Sequence, residues 1–274
     1  PEAPIPICEV KKTTLVPGGA ANVANNINAL NNTTFLYGTV GNDSSGDKLI
    51  ETLKDLKVTT KYIQKTKTKP TILKSRIIAN QQHLVRVDRE VRGPISKTTE
   101  SKLLTSIESV LKKTNAVLIS DYLKGTLTPS LTKKIIQLCN KHKIPTLIDP
   151  KGLNYTKYKG AFLIKPNFKE FKEITKSECK TESQIKRAAN KLIKHLNIKN
   201  LIVTRSEKGM SIFQDNGKQI DLPIISKEVY DITGAGDTVL STLSIALASG
   251  WELDEAAYLA NCAAGIVIGK IGTA

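Results

Sequence analysis

Cysteine and histidine are scarce in this chain, and the few that occur are isolated. The four cysteines lie far apart and form no Cys-x-x-Cys pair, and the three histidines stand alone. Zinc sites and disulfide frameworks both need such residues at short, recurring spacings. The sequence therefore predicts neither a cysteine-based metal site nor a disulfide-stabilised fold.

Long apolar runs are also missing. No segment reaches the roughly 18 apolar residues that a transmembrane helix needs, and no secretory signal is recognisable. We expect a cytoplasmic protein that has no membrane partner.

Acidic residues are outnumbered by basic ones, 25 to 41, which gives a formal net charge of +16. Such an excess raises the possibility of nucleic-acid binding. However, six of the basic residues are arginines and 35 are lysines, and the lysines are scattered singly and in pairs. Arginine is the side chain whose fork matches phosphates and guanine edges. The pattern favours a solvated surface that attracts small anionic substrates, and we expect no nucleic-acid partner.

What the chain does contain is a regular alternation of short apolar segments and amphipathic segments. Its 274 residues suffice for one large α/β domain or for two small domains. Strands are predicted at Leu36–Val40, Ala116–Ser120, Thr146–Ile148, Ala161–Ile164 and Asn200–Thr204, and helices near Ser45–Leu56, Pro129–Lys141, Phe168–Thr175 and Glu182–Leu196. This alternation predicts βαβ units and a mostly parallel sheet covered by helices on both faces. Ligands of such sheets bind beyond the carboxyl ends of the strands.

One region departs from this alternation. Thr71–Ala79 and Leu84–Arg89 alternate apolar and polar residues on either side of a polar segment at 80–83, which predicts a β-hairpin. Inside a βαβ chain, such a hairpin is either a sheet edge or a separate flap. Ile5–Val10 alternates in the same way and is a candidate to join the hairpin.

The most informative motif is Asp-Ile-Thr-Gly-Ala-Gly-Asp at 231–237. Gly234, Ala235 and Gly236 form a glycine-rich turn directly before the apolar segment that follows Asp237. Backbone N–H groups at a helix N-terminus attract anions, and a carboxylate beside them can accept a proton from a hydroxyl group. The motif predicts phosphoryl transfer to an alcohol, although Gly-x-Gly with an Asp cap is also an ordinary helix start.

Further candidate residues follow the predicted strands or open helices. Each also has a structural explanation: Gly18, Gly19 and Asn22 at a closely packed helix start, Lys151 in a glycine-flanked surface loop, Asn167 and Glu170 in a capping box, Thr204, Ser206, Glu207 and Gly209 in a polar turn, and Arg86 in a surface ion pair with Asp88. The functional alternatives are hydrogen bonds to sugar hydroxyls, contacts to phosphates, and water ligands of Mg²⁺.

Two of these motifs, Gly18–Asn22 and Asp231–Asp237, resemble those of the ribokinase-like, or PfkB, carbohydrate kinases. A finer similarity to the D-glycero-β-D-manno-heptose-7-phosphate kinases of this family runs along the whole chain. It is carried by Pro1–Pro6, Pro17–Ala24, Leu84–Asp88, Ser120–Tyr122, Asp149–Gly152, Lys165–Asn167 with Glu170, Val203–Gly209 and Gly269–Ala274.

The resemblance implies a single ribokinase-like domain over residues 1–274, with a β lid formed by about 5–10 and 71–89. It implies that ATP phosphorylates O1 of heptose 7-phosphate, with Mg²⁺ as cofactor, in the biosynthesis of ADP-heptose and the lipopolysaccharide core. It also implies a homodimer formed through the lid.

The implied roles fall into four groups. Asp237 would be the base and Gly234, Ala235 and Gly236 the anion hole; Asn167 and Glu170 would hold Mg²⁺ through water; Thr204, Ser206, Glu207, Gly209 and Asn261 would line the nucleotide; Gly18, Gly19, Asn22, Arg86 and Lys151 would face the sugar phosphate.

Two family segments are expected to be absent from this sequence: the first strand, which carries a sugar-binding aspartate, and a nucleotidyltransferase half. The alternatives are another kinase of this fold, acting on fructose or tagatose phosphates, and a catalytically silent sugar-phosphate-binding protein. Fold alone does not decide between these substrates.

Overall fold

The computed structural model describes residues 8–79, 82–225 and 234–269. Within these ranges the helices are α1 (Ala20–Ala29), α2 (Ser44–Asp55), α3 (Lys97–Val110), α4 (Pro129–Lys141), α5 (Phe168–Thr175), α6 (Glu182–Leu196), α7 (Ala235–Ala248) and α8 (Leu253–Ile268). The strands are β1 (Gly38–Gly41), β2 (Ile63–Thr66), β3 (Leu73–Ala79), β4 (Gln82–Arg89), β5 (Val117–Ser120), β6 (Thr146–Asp149), β7 (Leu163–Ile164), β8 (Asn200–Thr204), β9 (Met210–Gln214) and β10 (Gln219–Leu222).

The central sheet has six strands in the order β10-β9-β8-β7-β6-β5. Strands β5 to β8 are parallel, and β9 and β10 extend the sheet with antiparallel pairs. The carboxyl ends of the four parallel strands therefore meet at one edge, as the βαβ pattern predicts. A separate parallel pair joins β1 to β2.

The sheet is covered on both faces, which confirms the predicted architecture. Successive strand residues point to opposite sides, so Leu147 packs into one hydrophobic cluster and its neighbour Ile148 into another. The cluster around Leu147 includes apolar residues of α1, α7 and α8, while that around Ile148 includes residues of α3, α4, α5 and α6. These two cores fix the helix N-termini and the strand ends relative to each other.

Local capping explains why several predicted helix boundaries match the observed ones. Thr128 caps α4, whose first residue is Pro129, and capping boxes at Asn167 and Thr181 begin α5 and α6. Such caps satisfy backbone N–H groups that have no partner within the helix.

The predicted hairpin is present as β3 and β4. Cross-strand partners lie on the same face of a hairpin, so the pairs Ile77–Val85 and Ser75–Val87 place apolar groups on one side. The register skips Leu84, which is a β-bulge. We call the side defined by Leu73, Ile77, Val85 and Val87 the apolar lid face; three of these four residues are exposed, and Ile77 is half-buried.

The expected contribution of Ile5–Val10 to the lid is not observed where it can be assessed. Residues 8–10 belong to no strand, and residues 5–7 lie outside the described residues. The hairpin turn is also shorter than predicted, because β4 begins at Gln82 instead of Leu84. A short alternating segment does not specify a pairing partner, and pairing is what makes a strand.

No helix in the described ranges combines the length and apolar character that crossing a bilayer requires. The four cysteines all lie within the described residues, and none is in a disulfide.

Candidate active site

The glycine turn at 234–236 opens helix α7 beyond the carboxyl ends of the parallel strands. Gly234 is the N-cap residue and has φ 86°, a left-handed conformation that favours glycine. The first N–H groups of α7 have no partners within the helix. This geometry suits an anion, although residues 231–233 of the predicted motif lie outside the described residues.

Asp237 lies in the first turn of α7 and is half-buried. Its Oδ2 accepts a 2.8 Å hydrogen bond from Nδ2 of Asn22, a buried residue of α1. Burial raises the pKa of Asp237 and the Asp149 carboxylate raises it further, while the Asn22 hydrogen bond and the Lys165 charge oppose the shift. A carboxyl group with a raised pKa is a stronger proton acceptor than an ordinary aspartate once it is ionised.

Helix α1 brings Asn22 to this position because α1 packs against α7. Ser241 of α7 donates to the backbone oxygen of Val23 at 3.3 Å, and the two helices share a hydrophobic cluster. Gly19 caps α1 with φ 57°, and a Cβ atom there would lie 3.2 Å from the Tyr122 ring. A Cβ on Gly18 would meet nothing within 4 Å, so the close approach applies to Gly19.

Tyr122 is a site residue to which the sequence analysis assigned no role. Its ring lies against Gly19, and its hydroxyl group is close enough to Asp237 to affect the pKa of both side chains. Desolvation of the hydroxyl group and the nearby carboxylates of Asp237 and Asp149 raise the pKa of Tyr122, so the hydroxyl keeps its proton. The sequence feature that could have indicated a role for Tyr122 is its position directly after Asp121, beyond the end of β5.

Asn167 and Glu170 form the capping box of α5. The Asn167 side chain accepts from the Glu170 backbone N–H at 2.9 Å, and Glu170 Oε2 accepts from the Asn167 N–H at 3.0 Å. The other oxygen of Glu170 accepts a hydrogen bond from Nζ of Lys151. The structure therefore joins Lys151, predicted on the sugar side, to the residues predicted to hold magnesium.

Four of the five candidate nucleotide residues lie at the end of β8 or on the turn between β8 and β9. Thr204 forms a bridge with Asn167, which joins this turn to the start of α5. The turn is tight, because the Arg205 N–H bonds the Gly209 oxygen at 2.7 Å and the Gly209 N–H bonds the Ser206 oxygen at 2.9 Å. Glu207 lies at its tip, within a single 3₁₀ turn.

Gly209 and Asn261 both contact the backbone of residues 222–223. A Cβ atom on Gly209 would lie 2.0 Å from the Leu222 carbonyl oxygen, and Nδ2 of Asn261 donates to the Pro223 oxygen at 2.7 Å. Asn261 is buried on α8. The turn that follows β8 is thus connected to α8 through residues 222–223.

Arg205, which belongs to the same turn, directs its side chain toward the starts of α5 and α6. Its side chain is 7% exposed, pairs with Glu182 (Nη1–Oε2 2.9 Å) and lies over the Phe168 ring. These three residues line a cavity of about 220 Å³ together with Cys179, Lys180, Ile185, Ser206, Glu207 and Lys208.

Arg86 lies on the charged side of the hairpin, away from the apolar lid face. Its Nε is 2.9 Å from Oδ1 of Asp88, the surface ion pair that was one alternative from the sequence. Arg76 lies directly across the hairpin from it, so two cations share this side. No contact among the described residues joins Arg86 to the other candidates.

Lys165 is a second residue to which the sequence analysis gave no role. It directly follows β7, is 3% exposed, and its Nζ lies 3.3 Å from Oδ1 of Asp149. A lysine directly after a parallel strand was the available signal, because the ligand site of such sheets lies there.

Comparisons of sequence and of structure relate the chain to known carbohydrate kinases. Residues 2–274 match the model of the pfkB family carbohydrate kinases. The chain is 44% identical over 273 residues to "Bifunctional protein HldE" of Haemophilus influenzae (strain PittEE) and 45% identical over 274 residues to the protein of that name from Nitratiruptor sp.. The matches cover all of this chain but 56% and 58% of those proteins, so the chain spans little more than half their length.

Solved structures show the same fold. Arabidopsis thaliana ribokinase, in complex with ribose and ATP, has a TM-score of 0.79 at 23% identity, covering 97% of this chain and 86% of its own. The tetrameric inhibited form of Escherichia coli phosphofructokinase-2 has a TM-score of 0.80 at 18% identity, covering 97% and 87%. The fold is therefore ribokinase-like, and the chain belongs to the pfkB family of carbohydrate kinases.

Proposed function

We propose that this carbohydrate kinase transfers the γ-phosphoryl group of ATP to O1 of D-glycero-β-D-manno-heptose 7-phosphate. The observation that carries the proposal is Asp237, a carboxylate with a raised pKa at the start of a glycine-capped helix. The family membership supports the reaction class. The similarity to the heptose-7-phosphate kinases supplies the sugar and the place of the product in ADP-heptose and lipopolysaccharide core biosynthesis.

The proposed reaction needs one proton acceptor and one anion site. Asp237 takes the proton from the O1 hydroxyl group while O1 forms a bond to the γ-phosphorus. The bond between that phosphorus and the bridging oxygen breaks, and ADP leaves with its electron pair. The N–H groups that follow Gly234 stabilise the negative charge, because positioning and charge neutralisation dominate phosphoryl transfer.

The side-chain oxygens of Asn167 and Glu170 are suited to a magnesium ion that is held through water. Both Glu170 oxygens already have protein partners, and no group of three acidic, histidine or cysteine side chains suited to a metal occurs in the described ranges. Mg²⁺ keeps several waters and relies on substrate phosphates. When bound, the ion would neutralise phosphate charge, and Asn167 and Glu170 would orient its water ligands.

For the nucleotide, we propose the turn after β8, with Thr204, Ser206, Glu207 and Gly209 lining ATP and Asn261 beside its base or ribose. Support comes from the tight backbone turn and from the connection through residues 222–223 that brings α8 to it.

For the sugar phosphate, we propose Gly18, Gly19 and Asn22 beside the ring and Arg86 with Lys151 at the distal phosphate. The hydrogen bond from Asn22 to Asp237 supports the first group, because it places α1 at the base. The exposed apolar lid face supports a homodimer in which a second lid covers it, since a two-stranded hairpin is marginal alone.

The decisive experiment measures kcat/KM of the full-length protein with ATP and a panel of sugars. The panel contains heptose 7-phosphate, unphosphorylated heptose, fructose 6-phosphate and tagatose 6-phosphate. We expect the highest kcat/KM for heptose 7-phosphate. A higher value for a hexose phosphate would overturn the substrate assignment, and equal values for the two heptoses would favour a neutral-sugar kinase.

A further inference from the structure

The starting observation is a buried cation at the strand ends. The Lys165 side chain is 4% exposed, and its Nζ lies 3.3 Å from Oδ1 of Asp149. Among the described residues, Asp149 is the one hydrogen-bond acceptor of this ammonium group. An ammonium group has three donors, and removing it from water is costly unless those donors are used. The other donors of the Lys165 ammonium group can therefore bind further acceptors.

The ammonium group faces the glycine turn. A Cβ atom built on Gly236 would have Nζ of Lys165 as its nearest neighbour, at 3.5 Å. Because glycine has no side chain, nothing from residue 236 covers the ammonium group on this side. The cation and the first N–H groups of α7, which have no partners within the helix, therefore border the same space.

A second buried lysine shows what a purely structural pair looks like in this protein. Lys157 pairs with Asp121, and both side chains are less than 10% exposed. Asp121 also accepts from the Tyr158 hydroxyl at 2.7 Å and from the Leu123 N–H at 2.8 Å. That network is closed, whereas the partner of Lys165 has a side chain that is 23% exposed.

The positive charge of Lys165 offsets the negative charges of the nearby carboxylates. Asp149 raises the pKa of Asp237 and Lys165 lowers it, so all three side chains lie within electrostatic reach of one another. A phosphoryl group that approaches Asp237 brings more negative charge to a place where two carboxylates already lie. A cation near both carboxylates reduces that repulsion.

We propose that Lys165 is a catalytic residue that contacts the transferred phosphoryl group, and that Asp149 positions it. The proposal rests on the phosphoryl transfer proposed above and extends it to a residue with no assigned role. Lys165 takes no part in the proton transfer: Asp237 accepts the proton of the sugar hydroxyl, and ADP leaves with the electrons of the broken bond. Lys165 and the N–H groups of the turn act together on the charge that develops in the transition state.

The test is Lys165→Met, which keeps the length of the side chain and removes its charge. Removing one donor to a developing anion typically lowers kcat about 10²–10³-fold. Because the contact is to the transferred group, the affinity for ATP should fall about tenfold or more, while the affinity for ADP should be largely kept. Calorimetric titration measures the affinities for ATP and for ADP. A substitution that only disturbed packing would not lower the affinity for ATP selectively.

The matched control is Lys157→Met, which removes the ammonium group of the closed pair with Asp121. It should lower the melting temperature and leave kcat and the ratio of ATP to ADP affinity unchanged. Should Lys165→Met fail to fold, Gly236→Ala tests the same contact, because its methyl group would cover the ammonium group. We expect Gly236→Ala to lower kcat and ATP affinity while sparing ADP affinity.

Equal losses of ATP and ADP affinity in the folded variant, or an unchanged kcat, would overturn the role of Lys165. The nucleotide comparison does not depend on which sugar is the substrate. A wild-type enzyme that prefers another sugar would therefore contradict the substrate assignment and leave the test of Lys165 valid.

Discussion

Replacing Asp237 by Asn separates its role as proton acceptor from its role in packing. Asparagine has nearly the same size, and its amide oxygen can accept the 2.8 Å hydrogen bond that Asn22 donates to the carboxylate. The amide does not take up a proton at neutral pH. The substitution therefore removes the base and keeps its surroundings.

The expected loss is large. A positioned general base contributes about 10²–10⁴-fold to a rate, and each factor of ten corresponds to about 1.4 kcal/mol of activation free energy. We therefore expect Asp237→Asn to raise the barrier by about 3–5 kcal/mol. ATP affinity should change little, because the substitution leaves the turn after β8 intact.

The stability of the same variant should move in the opposite direction to its activity. The pKa of Asp237 is raised in the folded protein, chiefly by burial. The stability linked to this group is fully present below its unfolded pKa and is lost as pH rises through the folded pKa. A neutral amide escapes that loss, so the melting temperature of Asp237→Asn should equal or exceed that of the wild type at pH 7. The difference should disappear in acid.

Asp254→Asn is the matched control, because Asp254 also lies in the first turn of a helix, α8. Its carboxylate pairs with Lys218 at 2.7 Å, and that hydrogen bond holds its pKa below the usual range. We expect Asp254→Asn to keep kcat and to lower the melting temperature slightly. ADP release measures activity and scanning calorimetry measures stability; near-normal kcat in pure Asp237→Asn protein would refute the assignment of the base.

Three further predictions follow from the same site and from the lid. Asn22→Ala removes a hydrogen bond that lowers the pKa of Asp237, so the acid limb of the kcat/KM profile should shift to higher pH; an unshifted limb would contradict this coupling. Lys151→Ala should narrow the gap in kcat/KM between heptose 7-phosphate and heptose, and an unchanged ratio would remove Lys151 from phosphate recognition. Aspartates at Leu73 and Ile77 should yield a folded, weakly active monomer; sedimentation of the wild type as a monomer at micromolar concentration would refute the lid dimer.

Much of the fold could be predicted from the sequence because its signals are local. The bounds predicted for α4, α5, α6 and β8 match those observed. Each of these segments has a recognisable apolar pattern in the sequence. The three helices begin directly after their capping residues. The hairpin also formed as alternation predicts, but residues 8–10, which alternate in sequence as well, belong to no strand.

The candidate site was only partly predictable, because its contacts join distant segments. A glycine turn before a carboxylate is visible at 234–237 in one short motif. The positions of Tyr122 and Lys165 depend on which strand ends become neighbours in the folded sheet. In a sequence with 35 lysines, burial distinguishes Lys165 from its surface counterparts, and burial is set by tertiary packing.

The hydrogen bond between Asn22 and Asp237 joins residues 215 positions apart. Closing so long a loop is slow compared with forming helices that depend on near neighbours. The base therefore acquires its partner only when the first helix of the chain has docked against the seventh. In a refolding experiment, helical signal should return first and turnover later, so catalysis in this protein reports on the completion of its tertiary structure.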